Sequence, residues 1–264
     1  MLQKRYEGFL KTPYLWKHNA IFGLQQFEIN SKFNRINREI DEKLRLGKYV
    51  ERLVTFELGQ HHNVSIIAEN IQIQNNKTTL GELDCLLFKD GKPIHLEIVY
   101  KFYLYDNTCG FFELEHFIGP NRKDSLIEKL GKLKEKQLPL LYNPFTENYL
   151  TQLKLTPKDI KQEVYFKAQL FIPYTLKNLK LKMLNSKCIM GFYINPNELN
   201  EFKNCTFYIP DKKDWLTLPH LLVNWLDFET FKNNANNYLE RNFSPLFWVK
   251  YKNNTLTKMF LVWW

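Results

Sequence analysis

No run of apolar residues approaches the roughly 18 that a transmembrane helix needs. The start, Met1-Leu2-Gln3-Lys4-Arg5-Tyr6-Glu7, has no apolar block of the kind a secretory signal requires. No membrane association is expected, and the cytosol is the expected setting. Cysteine is scarce: Cys85, Cys109, Cys188 and Cys205 lie too far apart for a Cys-x-x-Cys zinc knuckle and are too few for a disulfide scaffold, so they read as reduced thiols. Only seven of the 37 basic residues are arginine, the side chain that most often reads guanine edges, which argues against sequence-specific DNA reading. A glycine-rich phosphate loop, a Gly-x-Ser-x-Gly elbow and a His-Glu-x-x-His helix are also missing, so Walker-type ATPase, α/β-hydrolase and zincin readings have no support. There is no linker rich in Pro, Gly or Ser and no internal repeat. A single domain over 1–264 is expected, with a core at 35–175 and a C-terminal extension at 176–264 packed on it.

What the chain does have is aromatic and basic. Its 264 residues are 44% hydrophobic and 16% aromatic, enough to bury a core without covalent staples. The net charge of +9 is uneven: residues 1–150 hold 21 basic and 19 acidic side chains, whereas the rest hold 16 and 9. The basic excess is C-terminal and compatible with a polyanionic partner such as nucleic acid. The stretch Trp248-Val249-Lys250-Tyr251-Lys252 offers rings for stacking and ammonium groups for phosphate, although such aromatics are more often core.

Periodicity gives the order of elements. Short helices are expected within 1–30. Leu44, Leu46, Val50, Leu53, Val54 and Leu58 recur at helical spacing and predict a helix over Asn37 to Gln60. Strands follow over Val64 to Gln74, Thr79 to Lys89 and Pro93 to Tyr105, the last two joined by Asp90-Gly91, a strong type I′ hairpin signal. A second helix is predicted over Arg122 to Gln137, then strands over Val164 to Pro173 and Lys187 to Ile194, with further strands and short helices to Trp264. This is an α/β or α+β chain in the order αβββαβ, with a central mixed sheet flanked by helices and C-terminal elaborations.

With Asp90 and Gly91 as the central turn residues, paired positions sum to 181, and Asp84 falls opposite Glu97. Carboxylates directly opposite on one face repel, with Cβ atoms about 4.5–5.5 Å apart. Both flanks are apolar, so the pair is expected in the sheet interior. Carboxylates are rarely buried without partners. A divalent cation such as Mg²⁺ or Mn²⁺ would resolve this; the alternative is ion pairing to Lys101, Lys89 or Arg122.

Leu80-Gly81-Glu82-Leu83-Asp84-Cys85-Leu86-Leu87, then His95-Leu96-Glu97-Ile98-Val99-Tyr100-Lys101, then Ile118-Gly119-Pro120-Asn121 with Asp124, Leu126, Lys129 and Gln137-Leu138, resembles a bacterial family of uncharacterised proteins known as a domain of unknown function. That family looks like a branch of the PD-(D/E)XK, restriction-endonuclease-like, phosphodiesterases. The resemblance covers about 46–140 most strongly, and implies a metal-dependent nuclease acting on DNA, with Mg²⁺ or Mn²⁺ as cofactor. It assigns Glu51, in Gly47-Lys48-Tyr49-Val50-Glu51, together with Asp84 and Glu97, to the metal. The usual lysine two residues after the last acid is Val99 here, which leaves Lys101, about 13 Å along the strand from Glu97, or Lys129 to steady the phosphate. Glu57 competes with Glu51 for the helix acid, and His95 shares the face of Glu97. The rival expectation is a catalytically inactive nucleic-acid-binding or protein-interaction module that keeps the fold.

Overall fold

The computed structural model describes residues 1–31, 35–176 and 178–264. Its elements are α1 (Leu2–Lys11), α2 (Leu46–Leu58), β1 (Val64–Asn75), β2 (Thr78–Lys89), β3 (Lys92–Tyr105), β4 (Phe117–Ile118), α3 (Leu126–Lys132), α4 (Pro144–Gln152) and β5 (Lys161–Pro173). They continue as β6 (Ile189–Ile194), β7 (Thr206–Tyr208), α5 (Phe228–Leu239), β8 (Leu246–Lys250) and β9 (Leu256–Leu261). The fold is α+β with mixed strand pairing. No helix among the described residues is long and apolar enough to cross a membrane.

The chain divides into two compact units that interleave in sequence. One comprises Tyr14–Tyr100 and Glu128–Lys167, with strand order β1-β2-β3-β5; the other comprises Met1–Pro13, Lys101–Ile127 and Ala168–Trp264, with order β5-β6-β9-β8-β7 and β4 on β3. In the first unit Ile71, Ile73, Leu83 and Leu86 of β1 and β2 pack with Leu140, Leu141, Leu150 and Ile160. In the second, Phe207, Phe231 and Phe247 form an aromatic core, the first two rings stacked at 4.2 Å. Strands β5, β6 and β9 pair in parallel and β7, β8 and β9 antiparallel.

The hairpin follows the predicted register from Lys89 with Lys92 and Phe88 with Pro93 to Cys85 with Leu96, where the paired ladder ends one step short of the expected pair of Asp84 with Glu97. Asp90 and Gly91 have φ of 52° and 73°, the two positive values a type I′ turn needs. The helices depart from expectation at their ends. Helix α2 starts at Leu46 rather than near Asn37, because Asp41 closes a side-chain turn on the Lys43 amide at 2.8 Å, an alternative to helix for that backbone. Helix α3 starts at Leu126 rather than Arg122, whose φ is +54°. Beyond Lys132 it widens into a π turn, Leu133–Gln137, and then tightens into a 3₁₀ turn, Leu138–Tyr142, that carries Pro139. Helix α4 lies outside the predicted elements, although Asn143 caps it and Pro144 opens it. Strand β6 begins at Ile189, after a 3₁₀ turn over Ser186–Cys188.

Close backbone approach constrains Gly191. A Cβ at Gly191 would lie 2.1 Å from the Lys258 carbonyl oxygen and 3.1 Å from the Phe171 ring, whereas one at Gly47 would meet nothing within 4 Å. Gly191→Ala is therefore expected to cost about 1–3 kcal/mol or more, and Gly47→Ala to leave stability level or raise it by up to about 1 kcal/mol. Urea denaturation of the two variants beside the parent measures this; equal stabilities would refute the close approach of β6 to β9.

Candidate metal centre

Strand β2 places residues of even number on one face, so Glu82 and Asp84 project together. Helix α2 packs its apolar residues Val50, Leu53 and Val54 into the core and brings Glu51 with them. Carboxylate oxygens of Glu51, Glu82 and Asp84 all lie within 4.8 Å of one another. Lys48, one turn before Glu51, donates from Nζ to Glu51 Oε2 at 2.9 Å, to Asn70 Oδ1 at 3.0 Å and to Glu82 Oε1. Asn70 sits on β1 with φ of +54°.

Asp84 follows the last ladder pair, Cys85 with Leu96, and its Oδ2 accepts the Ile98 amide at 2.9 Å. The side chain thus takes the amide beside Glu97. Burial, followed by the charges of Glu97 and Glu51, pushes the Asp84 carboxyl up to about 8. Burial also raises Glu51, against the hydrogen bond and charge of Lys48. For Lys48 burial opposes the charge, but the hydrogen bonds to Glu82 and Glu51 outweigh it and hold the ammonium above its ordinary pKa.

Glu97 is fully buried and anchored on both oxygens. Oε1 takes His95 Nε2 at 3.0 Å, and Oε2 accepts from Gln137 Nε2 at the end of the π turn. Gln162 Nε2 lies 3.1 Å from His95 Nδ1, which fits the tautomer carrying its proton on Nε2, toward Glu97. Lys129 donates to Gln137 Oε1 at 2.7 Å, so Gln137 links that lysine to Glu97. π turns are frequent at functional sites.

The residues named from sequence are thus placed as follows. Glu51 and Asp84 share the cluster, with the Glu97 charge acting on Asp84. Lys129 is one side chain removed from Glu97. Lys101 instead binds Asp124 at 2.5 Å. Glu57, the competing acid, is fully buried and accepts from Ser31 and from Tyr165 at 2.5 Å. The anticipated ion pairs are directed elsewhere: Lys89 donates to the Glu28 carbonyl at 2.7 Å and Arg122 to Asp106 at 2.9 Å. Glu82, Lys48 and Gln137 carry no role in the sequence reading. Glu82 was legible as the residue two before Asp84 on the same strand face, and Lys48 as the residue three before Glu51 on one helical turn; no local pattern announces Gln137.

The donor set is all oxygen, carboxylate-rich and partly buried, which suits a hard divalent cation more than zinc. An α+β fold carrying such a cluster defines a protein with a candidate metal centre. The chain belongs to the family described as a domain of unknown function, DUF1853, whose model matches residues 15–259. No curated protein and no solved structure matches it.

The raised Asp84 pKa makes a signed prediction. The fold favours the neutral acid, so ionisation opposes folding, and metal-free stability contributed by this group falls as pH rises from the ordinary carboxylate range toward about 8. Asp84→Asn cannot ionise and keeps an oxygen for the Ile98 amide. In chelator, its melting temperature should exceed the parent's at pH 8 by more than at pH 5. A gap independent of pH would show that Asp84 is not held in its neutral form.

Proposed function

We propose that the protein is a cytosolic, metal-dependent phosphodiesterase acting on nucleic acid, DNA first among the substrates, with a site of the PD-(D/E)XK type. The observation that carries this reading is the convergence of Glu51, Glu82 and Asp84 within 4.8 Å beside the buried Glu97. Asp84 and Glu51 are the ligands for Mg²⁺ or Mn²⁺, with Glu82 beside them and Glu97 the acid contributed by β3. Bound there, the cation lowers the pKa of a water and polarises the scissile phosphate. His95 and Gln137 fix the orientation of Glu97, as partners behind metal-ligating carboxylates do. With Val99 at the position where the resemblance expects lysine, Lys48 is the ammonium already at the carboxylates, and Lys129 stands behind Gln137. Either can steady negative charge on phosphate, whereas Lys101 is engaged by Asp124.

The rival is an inactive nucleic-acid-binding or protein-interaction module, favoured by Val99 and by a Lys48 ammonium that already partly neutralises the cluster. Manganese titration read by calorimetry, beside cleavage of labelled DNA and RNA in single- and double-stranded form, separates the two. The phosphodiesterase binds Mn²⁺ and cuts, and Asp84→Asn or Glu51→Gln lowers the rate by about 100-fold or more. A protein that takes up no Mn²⁺ at saturating metal and cuts none of the substrates is not this enzyme; if it still binds DNA with a steep salt dependence, the module reading stands.

A further inference from the structure

A pocket of about 450 Å³ lies in the second unit, at the C-terminal end of β7. That is within the range of small-molecule sites. Its walls come from three segments. Strand β7 supplies Tyr208 and the following Ile209; the segment holding Asn224 and Leu226 is tied to β7 by two backbone hydrogen bonds between Phe207 and Leu226, at 2.9 and 2.7 Å; α5 and the turn after it supply the rest. On α5 the lining residues Asn234, Asn237 and Tyr238 fall at spacings of three and four from Asn234, a stripe beside the one that buries Phe231 and Ala235, and Arg241 continues it in the turn just after the helix. Asp227 caps the helix, accepting the Thr230 amide at 2.8 Å, so the stripe is held in place.

We propose that this pocket binds a nucleotide, taking an unpaired base with its phosphate. Three carboxamides, Asn224, Asn234 and Asn237, each present a donor and an acceptor in one plane, the arrangement that pairs with a base edge. None of the three side chains has a hydrogen-bond partner within the described residues. Ile209 and Leu226 give an apolar floor, and the rings of Tyr208 and Tyr238 give walls of the kind on which bases stack. Tyr208 is itself seated against the buried Trp248, with ring centroids 5.0 Å apart. Among the described residues, Arg241 is the one charged group lining the pocket, and no carboxylate lines it. A cationic ligand finds no counter-charge there, and a neutral sugar would leave the guanidinium without an anion. A nucleoside phosphate satisfies the carboxamides, the rings and the guanidinium together. Lys250, whose ammonium lies 4.9 Å from the Trp225 ring next to Asn224, adds positive charge nearby.

This inference does not rest on the phosphodiesterase reading, and its test is run in chelator so that the carboxylate cluster plays no part. Calorimetric titration of the full chain uses the four 5′-nucleoside monophosphates, adenosine, inorganic phosphate and maltose. At least one monophosphate is expected to bind saturably, with adenosine and inorganic phosphate each about tenfold weaker or more. Arg241→Gln is expected to weaken the monophosphate about tenfold, the effect of one charge-assisted contact, and to leave adenosine unchanged. Asn234→Ala with Asn237→Ala is expected to weaken both or to change the preferred base. Asn234, Asn237 and Arg241 are exposed, so melting curves of the variants should match the parent. The proposal is overturned if no monophosphate binds, if the Arg241 and Asn variants bind it as the parent does, if phosphate alone binds as tightly as the nucleotide, or if maltose binds in its place.

Discussion

Pairing between β2 and β3 is set by two consecutive residues with positive φ, Asp90 and Gly91. A type I′ turn twists the way its strands twist, so it admits one register, and a slip of one residue would reverse every side chain to the other face. The chemistry of the cluster depends on that register. It puts Asp84 one step beyond the pair Cys85 with Leu96, where its oxygen takes the Ile98 amide and meets the charge of Glu97. A one-residue slip would send Glu82 and Asp84 to the face now filled by Leu83 and Cys85, both fully buried, where an unpaired carboxylate would be very costly.

Holding these acids together is unfavourable, and the fold offsets the cost in three separate ways. Lys48 brings a positive charge onto Glu51 and Glu82. Asp84 takes a backbone amide and shifts toward its neutral form. Glu97 is given two donors, His95 and Gln137, one from its own strand and one from a π turn. That turn adds a residue to the helical repeat at the position that aims Gln137 at Glu97, so the irregular end of α3 is tied to the site rather than to packing alone.

Features governed by local rules were legible in the sequence. The hairpin came from Asp-Gly, the pairing from arithmetic on the turn, and the C-terminal half of α2 from the spacing of Val50, Leu53, Val54 and Leu58. What was not legible depended on competition between local structures or on distant contacts. Residues 37–45 carry apolar and helix-forming side chains, yet the Asp41 side-chain turn takes the backbone first. Arg122 and its left-handed φ displace the start of α3 by four residues. In the cluster, Asp84 and Glu51 stand out as acids amid apolar neighbours, while Glu82 lies in the segment that carries the resemblance with no role assigned to it and Gln137 lies 40 positions from the carboxylate it holds.

The charge balance of the cluster is what a cation would act on. Three clustered carboxylates, with the charge of Glu97 acting on Asp84, stand against the Lys48 ammonium and the nearby charge of Arg52, and the metal-free fold favours a proton on Asp84. A proton and a divalent ion compete for the same oxygens, because a ligating carboxylate must be ionised. The proton relieves one negative charge where the cation relieves two, and it leaves the burial and the convergence of Glu51, Glu82 and Asp84 in place. A fold that needed only to minimise repulsion would replace one acid with an amide of the same shape, and the Ile98 amide would still be satisfied. With Asp84 raised toward its neutral form, a bound cation would take the place of that proton and hold the carboxylate ionised.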